Sequence, residues 1–198
     1  MTRQGITPKR AAPSGMDLGD SGWARFDAGR FGPLWIAWVP EGLTVISLDG
    51  AAPARGELAR WMTSPEALEE RSLPRIVRET LTAYFAGEAV DPAALPVRLR
   101  GTKFQRRAWT ALRDVGRGQV RTYAGLAQDV NSPRSMRAIG MAMAKNPLPL
   151  VVPCHRVVAA GNALGGYSGG LDKKRFLLEL EGVTIQDDRV LPGQLALL

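Results

Sequence analysis

Cysteine and histidine each occur once in 198 residues, as the neighbours Cys154 and His155. One cysteine excludes an intrachain disulfide. One Cys and one His also fall short of the four nitrogen and sulfur ligands of a structural zinc site, so no metal is expected. Long apolar runs are missing: the stretch over residues 148–153 is far shorter than the roughly 20 residues needed to cross a bilayer. The basic N-terminus (Arg3, Lys9, Arg10) has no apolar segment behind it. A secretory signal needs that segment, so a cytoplasmic protein without a membrane partner is expected. Acidic residues are also short, 19 against 26 Lys and Arg, which leaves a net charge of +7 and a pI near 10.2. A basic balance favours a polyanionic partner through phosphate contacts.

What remains is an ordinary globular composition, 45% hydrophobic and 23% charged, long enough for one domain or two small ones. Residues 1–21 are rich in Gly, Pro, Arg and Ser without periodicity and read as a flexible lead. Residues 34–39 and 43–48 are β-rich runs around Pro40-Glu41-Gly42, the pattern of a hairpin. Residues 72–87 predict a helix with Ile76, Leu81, Tyr84 and Phe85 inward and Gly87 as its stop. The Pro-containing connector over residues 91–96 marks a boundary. The expected fold class is therefore α/β, with an N-terminal sheet-containing domain over 22–96 and a mainly helical C-terminal domain over 97–198.

In that second part, residues 104–114 predict a helix with Phe104, Ala108, Ala111 and Leu112 on one stripe. Residues 123–130 and 135–145 predict two short helices around the turn Asn131-Ser132-Pro133, the outline of a helix-turn-helix. Asn146-Pro147 ends the second one. Residues 148–153 read as extended and apolar, leading into Cys154. Five glycines between 161 and 170 require a tightly turned loop, and residues 172–181 predict a last helix with Phe176, Leu177 and Leu180 inward.

A thiol attacks as a thiolate, so an active Cys154 needs a group to take its proton. His155 is the one side chain here whose ordinary pKa lies near neutrality. Adjacent residues point in different directions, so His155 need not touch the sulfur directly, and one bridging water would serve. A carboxylate would fix its tautomer, with Glu181, Glu179 and Asp172 as candidates. On residue types alone, a cysteine hydrolase and an inert buried cysteine remain open.

The order of motifs narrows this. Pro153-Cys154-His155-Arg156-Val157-Val158 resembles the active-site signature of the O6-alkylguanine-DNA alkyltransferases. Gly101-Thr102-Lys103-Phe104-Gln105 with Trp109 resembles the opening of that family's C-terminal domain. Arg137-Ala138-Ile139-Gly140, Asn146-Pro147, Gly166-Tyr167-Ser168-Gly169-Gly170, Leu177-Leu178 and Glu181-Gly182 follow in register. The resemblance is dense over residues 101–183. Upstream it is loose, mainly Tyr84-Phe85-Ala86-Gly87.

The resemblance implies direct-reversal DNA repair, in which Cys154 accepts the alkyl group of O6-alkylguanine once and irreversibly, with O4-alkylthymine as a further substrate. It implies a ribonuclease-H-like N-terminal sheet, no cofactor, a monomer, and duplex DNA bound through its minor groove with the damaged base flipped out. His155 would be the base through a water, oriented by Glu181, and Asn146 would hold the turn that shapes the pocket. Tyr123 would press on the backbone phosphate and protonate the leaving guanine. Arg137 would fill the gap in the duplex, with Ser135, Met136, Ala138 and Gly140 beside it, and Ala142 and Ala144 suited to close approach. Pro153, Val157, Tyr167 and Ser168 would line the pocket, with the carbonyls of Cys154 and Val157 reading the exocyclic amine. Ser135-Met136 is bulkier than the family's usual small pair.

Competing functions fit less of the pattern. A non-repairing alkylguanine binder would lack the acceptor cysteine. A helix-turn-helix regulator would need no reactive thiol, and fused adaptive-response relatives carry a zinc-binding domain with several cysteines.

Overall fold

The computed structural model describes residues 17–191, 193, 194 and 196. The flexible lead expected over residues 1–16 lies outside them. Residues 17–21, assigned to the same lead, are anchored to the sheet through Leu18 and Asp20. Leu18 is buried and its N–H donates to the Pro40 carbonyl at 3.0 Å, and the Asp20 carbonyl accepts from the Trp38 indole at 3.0 Å. A single leucine finding an apolar site overrides the loop-like composition around it.

Three antiparallel strands follow in the order β1 (Gly22–Asp27), β2 (Pro33–Val39) and β3 (Gly42–Ser47). The expected hairpin is the β2–β3 pair. β2 is apolar at every central position because both of its faces are covered. Leu34, Ile36 and Trp38 point into the main core, while Trp35 and Ala37 meet Val45, Leu58 and Met62 on the other side. Leu58 comes from α1 (Arg55–Trp61), a short helix without a clear sequence signal.

The free edge of β3 is used twice. Leu43 donates to the Pro96 carbonyl at 2.9 Å and accepts from Arg98 at 2.8 Å. Gly42, at φ 149°, lets that segment pass: a Cβ there would lie 2.6 Å from the Val97 nitrogen. Further along, the Ile46 N–H donates to the Pro147 carbonyl at 2.8 Å, which ties the sheet to the turn before Cys154.

In α2 (Arg75–Phe85), Val77, Leu81 and Tyr84 are buried at i, i+4 and i+7. Ile76, expected inward, is 38% exposed, because Val77 takes the core-facing position one residue on. One continuous core then runs from the sheet through Leu81, Tyr84 and Leu95 into Trp109, Leu126, Ile139 and Leu148. The regions on either side of the 91–96 connector share it.

The second half holds α3 (Lys103–Arg113), α4 (Tyr123–Asp129) and α5 (Met136–Ala144), close to their expected spans. A capping box between Thr102 and Gln105 starts α3, and the Thr122 hydroxyl caps α4 through the Gly125 N–H at 2.9 Å. The three helices pack on one another, and the Trp109 indole of α3 donates to the Ala142 carbonyl of α5 at 2.9 Å. Ala142 is 1% exposed, so it faces the core and not the open side expected for it.

Residues 148–153 are apolar as expected but turned, not extended. Leu150 sits at φ 75° and the Val152 N–H closes back on the Leu148 carbonyl at 2.7 Å. Two prolines and the Asn146 side chain favour a turn over a strand with no partner. A short 3₁₀ turn, Cys154–Arg156, follows. β4 (Arg121–Thr122) then pairs in parallel with β5 (Val157–Val158), which brings Tyr123 beside the cysteine segment. In α6 (Leu171–Leu180) the buried residues are Lys174, Leu177 and Leu178. Phe176 and Leu180, expected inward, are half-buried against the core edge. A small hairpin, β6 (Ile185–Gln186) and β7 (Arg189–Val190), closes the described chain. Among the described residues no helix is long and apolar enough to cross a membrane.

Candidate active site

Cys154 is 5% exposed and lies at the start of its 3₁₀ turn. Asn146, just past the end of α5, organises the sulfur's surroundings. Its amide nitrogen donates to the Val152 carbonyl at 2.7 Å and to Cys154 Sγ at 3.1 Å, and its Oδ1 accepts from the Leu148 N–H at 3.0 Å. Burial pushes the Cys154 thiol up, while the Asn146 bond and the charge of Lys174 oppose this. The resting residue is therefore a thiol that needs a proton acceptor.

His155 is fully buried, and its Nε2 lies 2.9 Å from Glu181 Oε1. Of the three carboxylates left open by the sequence, Glu181 faces the ring, while Asp172 and Glu179 are exposed. An ionised carboxylate only accepts hydrogen bonds, so Nε2 carries the proton. Nδ1 is then the basic nitrogen, and it is buried with no partner among the described residues. Burial lowers the His155 pKa and Glu181 opposes that shift, which keeps the ring neutral near pH 7.

Glu181 belongs to a buried cluster that sequence reasoning missed. Arg156 is 0% exposed and uses all five of its N–H groups. Nε donates to Glu181 Oε2 at 2.8 Å and Nη2 to Glu181 Oε1 at 2.8 Å. Nη1 and Nη2 also grip Asp91 at 3.1 and 2.9 Å, and Nη1 reaches the Val115 carbonyl at 2.6 Å. The Tyr84 hydroxyl donates to Glu181 Oε1 at 2.7 Å. Burial alone would raise the Glu181 carboxyl, but His155 and Arg156 outweigh it and hold the group well below its ordinary 4.5. The signal for Arg156 lay inside the cysteine motif; Tyr84 and Asp91 had none beyond a loose match and a connector.

These shifts set a pH dependence. Both His155 and Glu181 bind fewer protons folded than unfolded as pH falls through their ordinary values. The contribution of this pair to stability is therefore full above the ordinary His value of 6.5, declines below it, and declines more steeply below 4.5. Urea midpoints measured from pH 8 to pH 4 should trace this decline, and a constant midpoint down to pH 4 would contradict the buried pair.

Lys174 is the second missed group. It is buried at the inner face of α6 and donates to the Val157 carbonyl at 2.6 Å, to the Leu164 carbonyl, and to the Gly166 carbonyl at 3.4 Å. Burial lowers its ammonium to about 8, with the Cys154 charge opposing. The Val157 carbonyl expected to read the substrate is thus already held by one donor, leaving its second lone pair.

The remaining expected residues fall in two places. Tyr123 and Tyr167 lie within reach of the Cys154 charge, and Pro153 and Val157 flank its 3₁₀ turn. Tyr123 is half-buried, and burial together with the Cys154 charge raises its phenol pKa. The Tyr167 hydroxyl is buried without a partner among the described residues. Its ring packs over Gly169, where a Cβ would lie 2.8 Å from Tyr167 Cε1. Ser168 is exposed on the same loop. Ser135, Met136, Arg137, Ala138 and Gly140 lie apart, along the start of α5. Ser135 donates to the Ser132 carbonyl at 2.6 Å and closes the turn. Met136 is 51% exposed, Arg137 is exposed, and the space over Gly140 is open.

A family model described as 6-O-methylguanine DNA methyltransferase, DNA binding domain, matches residues 103–183. A methylated-DNA–protein-cysteine methyltransferase of Methanosarcina acetivorans is 38% identical over 153 residues, covering 76% of this chain and 92% of the relative. The chain belongs to the methylated-DNA–protein-cysteine methyltransferase family. The methyltransferase of that name from Haemophilus influenzae is 36% identical, with 75% and 85% of the two chains covered. Among solved structures, Mycobacterium tuberculosis OGT in complex with DNA superposes with a TM-score of 0.68 at 34% identity, over 81% of this chain and 92% of that one. The O6-methylguanine-DNA methyltransferase of Pyrococcus kodakaraensis gives 0.58 at 31% identity, covering 82% and 99%. These methyltransferases share the fold along most of the chain.

Proposed function

We propose that this protein repairs duplex DNA by taking the alkyl group of O6-alkylguanine onto Cys154, once per molecule. The observation that carries it is the lone buried cysteine, held by Asn146 beside a neutral histidine whose Nε2 proton is fixed by Glu181. His155 Nδ1 takes the thiol proton through one water, which fits a buried acceptor with no side-chain partner. The sulfur bonds to the alkyl carbon as the carbon–O6 bond breaks. The electron pair passes to the guanine, which accepts a proton from Tyr123 and leaves neutral. The thioether has no easy route back, so the protein is consumed.

The base must leave the stack to reach Cys154, at a cost of a few kcal/mol. In this proposal α4 and α5 act as a helix-turn-helix laid into the minor groove. Arg137 fills the gap, flanked by Ser135, Met136, Ala138 and Gly140, and Tyr123 presses on the phosphate. Pro153, Val157, Tyr167 and Ser168 line the pocket, and the protein acts as a monomer. Three antiparallel strands with parallel bridges at Glu70 and Val97 support a ribonuclease-H-like N-terminal sheet.

Intact-protein mass spectrometry after incubation with an O6-methylguanine duplex tests the assignment. The wild type should gain one methyl group and Cys154→Ala none. An unchanged mass for folded, reduced wild type overturns it.

A further inference from the structure

The region upstream of residue 97 reaches the carboxylate that holds His155 directly through one side chain, Tyr84. Tyr84 is 0% exposed, sits on the last turn of α2, and places its hydroxyl 2.7 Å from Glu181 Oε1. That same oxygen faces His155 Nε2 at 2.9 Å and Arg156 Nη2 at 2.8 Å. Three donors therefore converge on the one carboxylate oxygen that fixes the histidine. The tyrosine is itself fixed. The Arg117 guanidinium stacks 5.4 Å from its ring centroid and is anchored on the Leu180 carbonyl at 2.7 Å, and Phe85 meets the ring edge-on.

We propose that Tyr84 is a positioning residue for the alkyl transfer: its hydroxyl draws charge from Glu181 Oε1 and so limits how strongly that carboxylate stabilises the His155 imidazolium. The inference rests on the reading of His155 as the base for Cys154. A more charge-rich carboxylate would raise the pKa of the ring and leave more of it protonated, unable to accept the thiol proton. A hydroxyl donor held across the core prevents this. The phenol stays protonated because burial and the Glu181 charge raise its pKa well above the ordinary value, so it remains a donor at every working pH. Other charges facing the pair are Arg156, Lys174 and Arg117, with Asp91 behind Arg156. Arg156 is held above its ordinary value and stays charged throughout the acid range in which the effect is read, and Lys174 titrates above that range, at about 8.

The chain holds a single histidine, so its imidazole resonances report one site without assignment ambiguity. Histidine titration by NMR on the full chain, with Tyr84→Phe, is the decisive experiment. The variant keeps the ring and removes one donor, so the His155 midpoint should rise by on the order of one pH unit. The acid limb of the transfer-rate profile should move up with it, while the high-pH limit stays within about twofold of wild type. A second variant, with 3-fluorotyrosine installed at position 84 alone, keeps the bond and strengthens the donor. Its His155 midpoint should fall, and this holds even if Tyr84→Phe folds poorly. An unmoved midpoint in a folded variant, or a rate lowered equally at all pH values, would make Tyr84 a packing residue and overturn the inference. Because the NMR readout needs no DNA, failure of wild-type methyl transfer is a separate result that strikes the proposed function instead.

Discussion

Replacing Arg156 by methionine should destabilise the protein by about 3–5 kcal/mol, the cost of leaving one side of a buried ion pair without its partner. The guanidinium is the only cation that touches both Glu181 and Asp91 among the described residues, and its five donors are all engaged. Without it, two carboxylates and the Val115 carbonyl stay in the core with too few donors. Arg156→Met fills similar volume, so the loss would come from charge and hydrogen bonding, not from a cavity. For a chain of this length the melting temperature should fall by on the order of 10 °C. Arg156→Lys should recover part of the loss, since an ammonium keeps the charge but cannot form the planar double fork. Thermal melts of the three proteins at neutral pH provide the check. A shift below about 2 °C for the methionine variant would mean that the cluster contributes little.

The second large effect concerns rate. His155→Gln should slow methyl transfer by about 10²–10³-fold at pH 7, the usual contribution of a positioned base. The glutamine amide can still donate to Glu181, so the cluster keeps its hydrogen bond while the basic nitrogen is lost. Burial raises the Cys154 thiol, so few molecules carry a thiolate at neutrality without help. The rate of the variant should therefore climb with pH, nearly tenfold per unit, until the thiol itself ionises. Wild type should be flat over the same range, because His155 is already neutral there. Single-turnover rates from pH 6.5 to 9.5 distinguish the two profiles. A variant as fast and as flat as wild type would remove His155 from the proton path.

Much of this site was legible in one dimension. Cys154 and His155 stood out because each is the only one of its kind and they are adjacent. Asn146 stood out by its place before a proline at a helix end. Local rules also set most helix limits, since caps such as Thr102 and Thr122 and breaks such as Asn146-Pro147 act within a few residues. The failures share a cause. Ile76 and Val77 are adjacent and both apolar, so periodicity alone could not choose which faces inward. β1 carries two exposed charged residues, Arg25 and Asp27, among its six, and it needed β2 as a neighbour to be a strand. The 148–153 segment is uniformly apolar, and apolar runs bury equally well turned or extended.

By itself the sequence determined the candidate reactive pair, the order of the helices from α2 onward, the basic charge and, through motifs in register, the family. These properties depend on residue type and short spacing, which a linear chain displays directly. Residue types left Glu181, Glu179 and Asp172 open as the partner of His155 and the resemblance implied Glu181; the tertiary structure supplies the physical reason, since of the three only Glu181 is buried against the ring. Only the tertiary structure decided that Tyr84 and Asp91, 97 and 65 residues away from their partners, complete the cluster around Arg156. Such contacts arise when distant segments share one core, and no local pattern encodes them. Desolvation in that core then shifts the proton affinities of His155 and Cys154, while the buried His155 and Arg156 shift that of Glu181.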